Sequence, residues 1–409
     1  MNTNQHAGFF KLSTFLRRTA AIATLAAFGS VAPTLTAVQA QNKDPIRIAL
    51  VSAQSGVWAQ QGEETIRAAT FAIEHANAQG GVDGRRVEYQ LADDESTPEG
   101  ARRNAERLAR QGYNFIIGPI ASSSVLSLMP SLSRWNALLF APQSKEDKIT
   151  GESCHPYAFR PNHSNAMDKA MFTEWASGFA EQTFATLASD YIFGRGSAND
   201  FKEIITSQGK DVKLQLWAPL NTKDFAPYIA QLKEAGVESV WVTLVGRDAI
   251  AFLRQAREFN LDARLIGHSM MLNFMLQAAG PAIEGVAGNL SYSPDLDFPR
   301  NKAFVAAWQE KFNRLPTETE GLTYNGMLVI FDGVKKAGSV KTADVSRALR
   351  GATLDTLYGP ALMRAEDNQL VMPNIIGVVK NINGQVRSTI AQVFDASITP
   401  PASPLCKMR

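Results

Sequence analysis

From residue 46 onward, short apolar runs alternate with segments whose apolar positions recur every three or four residues. Residues 46–51 are apolar except Arg47 and read as a buried strand. The segment 60–78 puts Ile66, Ala69, Ile73 and Ala76 on one face, which predicts a helix ended by Gly80-Gly81. A strand follows at 87–91. Thr97-Pro98-Glu99 then offers a cap and a proline at the first helical position, opening a helix to about 111. Residues 115–117 predict a strand closed by Gly118-Pro119, 122–133 a helix, and 137–140 a strand ending before Pro142. The rhythm restarts after Pro161. Helices are expected over 165–179, after Gly194, around Phe225, Ile229 and Leu232, and over 248–259. Strands are expected at 183–188, 212–217, 239–244 and 264–266. A helix-rich stretch follows, with Phe304, Trp308 and Phe312 on one face and a second helix over 322–334. From 354 to 394 the chain reads as short strands with a hairpin turn at Asn383-Gly384. Strands and helices alternating through short connections imply parallel sheets with right-handed crossovers, and two such blocks imply two α/β lobes.

Composition adds exclusions. The chain has 409 residues, 45% hydrophobic and 20% charged, so it is neither disordered nor a polytopic membrane protein. Its 41 basic and 39 acidic residues nearly cancel. Three of the basic ones (Lys11, Arg17, Arg18) and no acid fall in the first forty positions. The remainder therefore shows no charge excess suited to nucleic acid or an anionic membrane. Arg17-Arg18, the apolar run 20–28 and the small-residue exit Val38-Gln39-Ala40 describe a secretory signal peptide over 1–40. Pro33, Gly29 and several polar residues weaken the alternative of a membrane anchor. Periplasmic localisation follows, with no membrane insertion once the leader is removed. The two cysteines, Cys154 and Cys406, permit one disulfide or two separate thiols. His75, His155, His163 and His268 are scattered, and no metal motif or cofactor fingerprint is found, so neither metal nor cofactor is expected.

In open parallel sheets, ligands collect outside the carboxyl ends of the strands. The segments there supply the candidates. Trp58 and Gln61 follow the first strand, and Trp58 either covers a site or packs locally. Ser122 and Ser123 follow the third strand, where they offer hydroxyls to an anion or simply cap a helix. Gln143, Ser144 and Lys145 follow the fourth, facing a cleft or solvent. Tyr191 and Phe193 lie beside glycines in the second block and either close over a ligand or join the core. Arg247, His268 and Ser269 follow later strands, and Arg247 fits a helix surface as well as a cleft. The acidic run Asp93-Asp94-Glu95 fits a solvated loop better than a metal or acid–base site. No GxSxG elbow and no GxxxxGK[ST] loop is present.

In their order and spacing, several stretches resemble a family. They are IRIALVSAQSG at 46–56, ANAQGGVDG at 76–84, GPIASSS at 118–124, DYIFG at 190–194, LNTKDFAPYIAQL at 220–232, Ile283-Glu284-Gly285 and Thr323-Tyr324-Asn325. The chain resembles the type I periplasmic binding proteins of the leucine/isoleucine/valine-binding group, the substrate-binding subunits of ABC importers. The resemblance implies two Rossmann-like lobes joined by three crossings, one over 45–160 plus 291–375, the other over 161–290 plus 376–409. It implies a ligand carboxylate held at Ser122 or Ser123 and at Lys145, and Phe193 covering the ligand. The family's acid for an α-ammonium falls near Ser269, between His268 and Met270, where this chain has none. A buried ammonium without an anion is costly. The expected ligand is therefore a small carboxylate without an α-amino group, aliphatic or aromatic, the latter packed against Trp58, Tyr191 or Phe193, with an amino-acid-like ligand as the other member of the class. The partners implied are a membrane permease and its ATPase subunits, with no nucleic acid and no catalysis. A subgroup of the family also pairs cysteines as Cys154 with Cys406. A sensing receptor of the same fold, or a secreted α/β enzyme, are the rival readings.

Overall fold

The computed structural model describes residues 43–244 and 246–408. The expected signal peptide lies outside them. The first sheet contains β1 (Ile46–Ser52), β2 (Val87–Asp93), β3 (Phe115–Ile117), β4 (Leu138–Phe140) and β5 (Ala158–Phe159), all parallel, in the order β2-β1-β3-β4-β5. β1, β3 and β4 are buried almost throughout, as parallel strands with helices on both faces must be. The intervening helices are α1 (Ala59–Ala78), α2 (Pro98–Arg110), α3 (Ser122–Leu128) and α4 (Leu132–Trp135). Thr97 caps α2 as expected, accepting from Gly100 N, with Pro98 in the first turn. The single helix expected over 122–133 is broken into α3, a 3₁₀ turn at Met129–Ser131 and α4, because Pro130 lacks the N–H an unbroken helix needs there.

The second sheet has five parallel strands in the order β7-β6-β8-β9-β10. These are β6 (Thr183–Ser189), β7 (Asp211–Ala218), β8 (Ser239–Thr243), β9 (Arg264–Gly267) and β10 (Ala287–Asn289). Its helices are α5 (Asn165–Ser177), α6 (Ile192–Ser207), α7 (Ala226–Ala235), α8 (Gly246–Glu258) and α9 (Asn273–Ala279). α6 starts at Ile192, two residues ahead of the glycine expected to precede it. Gly194 acts here by close approach, since a Cβ on it would lie 2.1 Å from Ser189 O.

The remaining segment comprises α10 (Pro299–Phe312), α11 (Glu318–Ala337), α12 (Thr342–Leu349), β11 (Thr353–Thr356), β12 (Gly359–Met363) and β13 (Leu370–Val371). The last three form a small antiparallel sheet. The aromatic face expected at 304, 308 and 312 closes around Phe71 of α1, with Trp308 edge-on at 5.1 Å. β14 (Asn374–Ile382) then joins the second sheet antiparallel to β10, and β15 (Gln385–Phe394) pairs antiparallel with β14 at the edge. The hairpin between them turns at Asn383 and Gly384, both with positive φ (52° and 85°).

The lobes meet where three segments run side by side. Arg160 N donates to Asn368 O, Leu370 N to Arg160 O, and Leu290 N to Ile375 O, at 2.9–3.1 Å. The Arg160 side chain is buried here. It donates to Gln369 Oε1 and Glu146 O, each at 2.6 Å, and to Thr150 Oγ1. His163 is equally buried, with its Nε2 2.8 Å from Pro373 O. Burial pushes its pKa down to about 4, helped by the Lys145 ammonium. The unfolded chain protonates this histidine near pH 6.5, and the folded chain only near 4. Its contribution is therefore complete above about pH 6.5 and drains away as the pH falls toward 4, by about 3 kcal/mol in all. Urea unfolding of wild type and His163→Gln across that range is expected to show the slope in the wild type and a flatter profile in the variant.

Cys154 and Cys406 form the disulfide, across 252 positions of sequence. Among the described residues no helix is long and apolar enough to cross a membrane, and no cluster suits a metal ion.

Candidate functional site

The carboxyl ends of both sheets supply the expected segments. The turn after β3 begins at Gly118, whose φ is +91° and whose Cβ would lie 2.1 Å from Val51 O. Only glycine lets this turn pass so close to β1. Ser122 and Ser123 follow in the first turn of α3, partly exposed. They do not cap it: Ala121 occupies that position, and no side chain bonds to the helix start. Ser144, after β4, donates to Ile120 O at 2.9 Å and so ties the two turns together. Gln143 donates to Thr323 Oγ1 at 2.6 Å, leaving its buried Oε1 without a partner.

Lys145 shows what the sequence reading missed. Its Nζ lies 2.7 Å from Oδ2 of Asp168, in the first turn of α5. α5 packs on the second sheet through Met171, Phe172 and Trp175, beside Phe184 and Trp241. The pair thus joins a strand end of the first sheet to a helix of the second. The same Oδ2 lies 3.1 Å from His268 Nε2. Burial works to raise the Asp168 carboxyl, but Lys145, the His268 hydrogen bond and His163 together hold it well below the usual carboxylate range. A carboxylate only accepts, so His268 carries a proton on Nε2. Its Nδ1 is 3.3 Å from Ser197 Oγ, which also accepts from Trp241 Nε1 and lies 2.9 Å from Thr243 Oγ1.

The His268 ring stands between Phe193 and Phe172, with centroids at 5.2 and 5.4 Å. Tyr191 lies 6.1 Å from Phe193, and burial pushes its phenol up to about 12. A chain of contacts therefore runs Lys145–Asp168–His268–Phe193–Tyr191, with charge at one end and aromatic faces at the other. Glu318, the first residue of α11, is a second acid nearby. Burial raises its carboxyl while the Lys145 ammonium opposes the rise, and Oε1 accepts from Ser291 N at 2.9 Å. At the position where the resemblance puts the acid, the Ser269 N–H donates to Asn289 Oδ1 at 2.7 Å. Asp168 was not among the candidates because nothing in its helix sets it apart from other acids.

Other candidates stand apart from this chain. Arg247 is the second residue of α8 and is exposed. Trp58 is 38% exposed at the start of α1, and Gln61 lies half-buried one turn on. Asp93, Asp94 and Glu95 form a turn in which the Asp93 and Asp94 carboxylates accept from backbone N–H groups, while Glu95 pairs with Arg103.

Two parallel sheets with chemistry gathered at their facing strand ends match one family along most of the chain. The periplasmic binding protein family model covers residues 45–385. The chain belongs to this family. Among curated relatives, the leucine-, isoleucine-, valine-, threonine- and alanine-binding protein of Pseudomonas aeruginosa is 31% identical over 321 residues, 77% of this chain and 85% of that one. A solute-binding protein of an ABC transporter from Rhodopseudomonas palustris BisB5, solved with 3,4-dihydroxybenzoic acid, superimposes with a TM-score of 0.76. It is 25% identical, over 86% of this chain and 98% of that one. An amino acid ABC transporter substrate-binding protein from Pseudomonas fluorescens Pf-5 gives 0.78 at 22% identity, over 88% and 99%. This periplasmic binding protein is thus of type I and of the leucine/isoleucine/valine-binding group, a substrate-binding protein of an ABC transporter. The family is extracytoplasmic and works with a small-molecule ligand and a membrane transporter.

Proposed function

We propose that this periplasmic binding protein captures a small organic carboxylate between its lobes and presents it to a membrane permease for import. The Lys145–Asp168–His268–Phe193–Tyr191 chain carries this reading, because it offers a cation and aromatic faces together, from both sheets. An ammonium has three donors. One meets Asp168, and the others remain for a ligand carboxylate, alongside the hydroxyls of Ser122 and Ser123. Phe193, Tyr191 and Trp58 would enclose the ligand body, with Gln61, Gln143, Ser144, Arg247 and Ser269 around it. The relatives named above include one that binds aliphatic amino acids by name and one solved with an aromatic acid. Asp168 removes the reason for excluding an α-ammonium, so the class includes both kinds.

In this reading a leader over 1–40 delivers the chain to the periplasm. The lobes comprise 45–160 with 291–375, and 161–290 with 376–409. A ligand that touches both binds the closed form better and shifts the population toward it. The test is calorimetry with leucine, benzoate and aliphatic acids beside their amides, together with mass spectrometry of whatever is released on denaturation. At least one acid is expected to bind at micromolar or tighter Kd, with its amide at least about tenfold weaker through loss of the charged contact. Binding of neutral compounds with no acid bound would overturn the reading.

A further inference from the structure

The turn after β2 carries two successive non-glycine residues in the left-handed region, Glu95 (φ 56°) and Ser96 (φ 54°). That conformation is unfavourable for L-residues and persists only where surrounding bonds impose it. Two of those bonds close the turn on itself, and four tie it to the loop after β1. Asp93 Oδ1 accepts from Gln54 N at 2.9 Å and from Glu95 N at 2.8 Å, and its Oδ2 from Ser55 Oγ at 2.7 Å. Asp94 Oδ1 accepts from Ser96 N at 2.7 Å. Ser96 Oγ then donates to Ser55 O at 2.7 Å and accepts from Trp58 N at 3.2 Å. The fit is tight enough that a Cβ on Gly56 would lie 2.6 Å from that oxygen.

What this clamp holds is unusual for a soluble surface. Val57 is 87% exposed, and Trp58 stands beside it. Trp58 is also the residue preceding α1, and α1 has no side-chain cap. Serine, threonine, aspartate or asparagine there would stabilise the helix. A strained turn, a forgone cap and an exposed apolar tip converge on one side chain, at the carboxyl edge of β1 beside the turn after β3.

We propose that Ser96 is a positioning residue, which with Asp93 fixes Trp58 at the cleft mouth so that its indole covers bound ligand. This rests on the reading above that Trp58 belongs to the ligand site. Trp58 suits direct observation. Trp135, Trp175, Trp241 and Trp308 are buried, and Trp217 is half-buried under the Arg195 guanidinium.

Acrylamide quenching and fluorescence anisotropy are measured on wild type, Ser96→Ala, Asp93→Asn and a Trp58→Phe control. Leucine and benzoate are titrated into each, and into Trp58→Ala and its double with Ser96→Ala. Circular dichroism melts confirm folding, and Asp93→Asn keeps the test open if Ser96→Ala does not fold. Loosening the clamp is expected to speed Trp58 motion and raise its quenching. It is also expected to weaken the bound acid about threefold to tenfold, the scale of one hydrogen bond, with no further loss in the Trp58→Ala background. Unchanged Trp58 motion in both clamp variants overturns the positioning role. Looser Trp58 with unchanged affinity, in Trp58→Ala as well, overturns the covering role. If neither leucine nor benzoate binds the wild type, the quenching result alone decides whether Ser96 positions Trp58.

Discussion

Arg160→Met is expected to destabilise the protein by about 3–5 kcal/mol, because it leaves buried acceptors with no donor. Gln369 Oε1, Glu146 O and Thr150 Oγ1 all depend on this one guanidinium, and they come from separate parts of the chain. Burial lowers the Arg160 pKa to about 10, with Asp147 and Asp367 opposing, so the side chain stays charged at neutral pH. Methionine fills the volume but supplies no donor. In a chain of this size the loss corresponds to a melting temperature lower by about 4–6 °C. Arg160→Lys keeps the charge without the planar fork and is expected to fall between the two. Calorimetric melts of the three proteins decide the matter. A change below about 1 kcal/mol for Arg160→Met would mean that water replaces the guanidinium freely.

Lys145→Met should have the second large effect, on binding and stability together. Asp168 would retain only His268 as its hydrogen-bond partner, so a destabilisation of about 3 kcal/mol is expected. Any bound acid should weaken at least about thirtyfold, since a charge-assisted contact is lost. The double variant Lys145→Met/Asp168→Asn removes the stranded charge. It should regain about 1–2 kcal/mol of stability but none of the affinity, and this separation is the useful readout. Acid titration gives an independent check. The Asp168 carboxyl is depressed in the folded state, so its contribution is present above about pH 4 and is lost as the pH falls further. Asp168→Asn should lack that part of the acid unfolding curve. Single-variant losses that simply add up to the loss in the double variant would show that the ion pair contributes nothing.

The alternation of strands and helices was readable because parallel strands are buried on both faces and so appear as apolar runs. Thr97-Pro98 and Asn383-Gly384 were readable because their chemistry is local. In sequence Gly194 reads as a helix boundary, whereas in the fold it admits Ser189 O against a helix already begun. Among the candidate residues, Lys145, Tyr191, Phe193 and His268 come into one chain of contacts, while Trp58 and Arg247 stand off from it. Asp168 was out of reach of sequence patterning. It becomes special only when the chain crosses between lobes and brings α5 beside the end of β4.

The disulfide has a consequence for biogenesis. Cys154 must wait for a thiol 252 positions downstream. Most of the polypeptide has to emerge before that link can close, so oxidation is a late event in maturation. Until then, Cys154 is open to reaction with other thiols in an oxidising compartment.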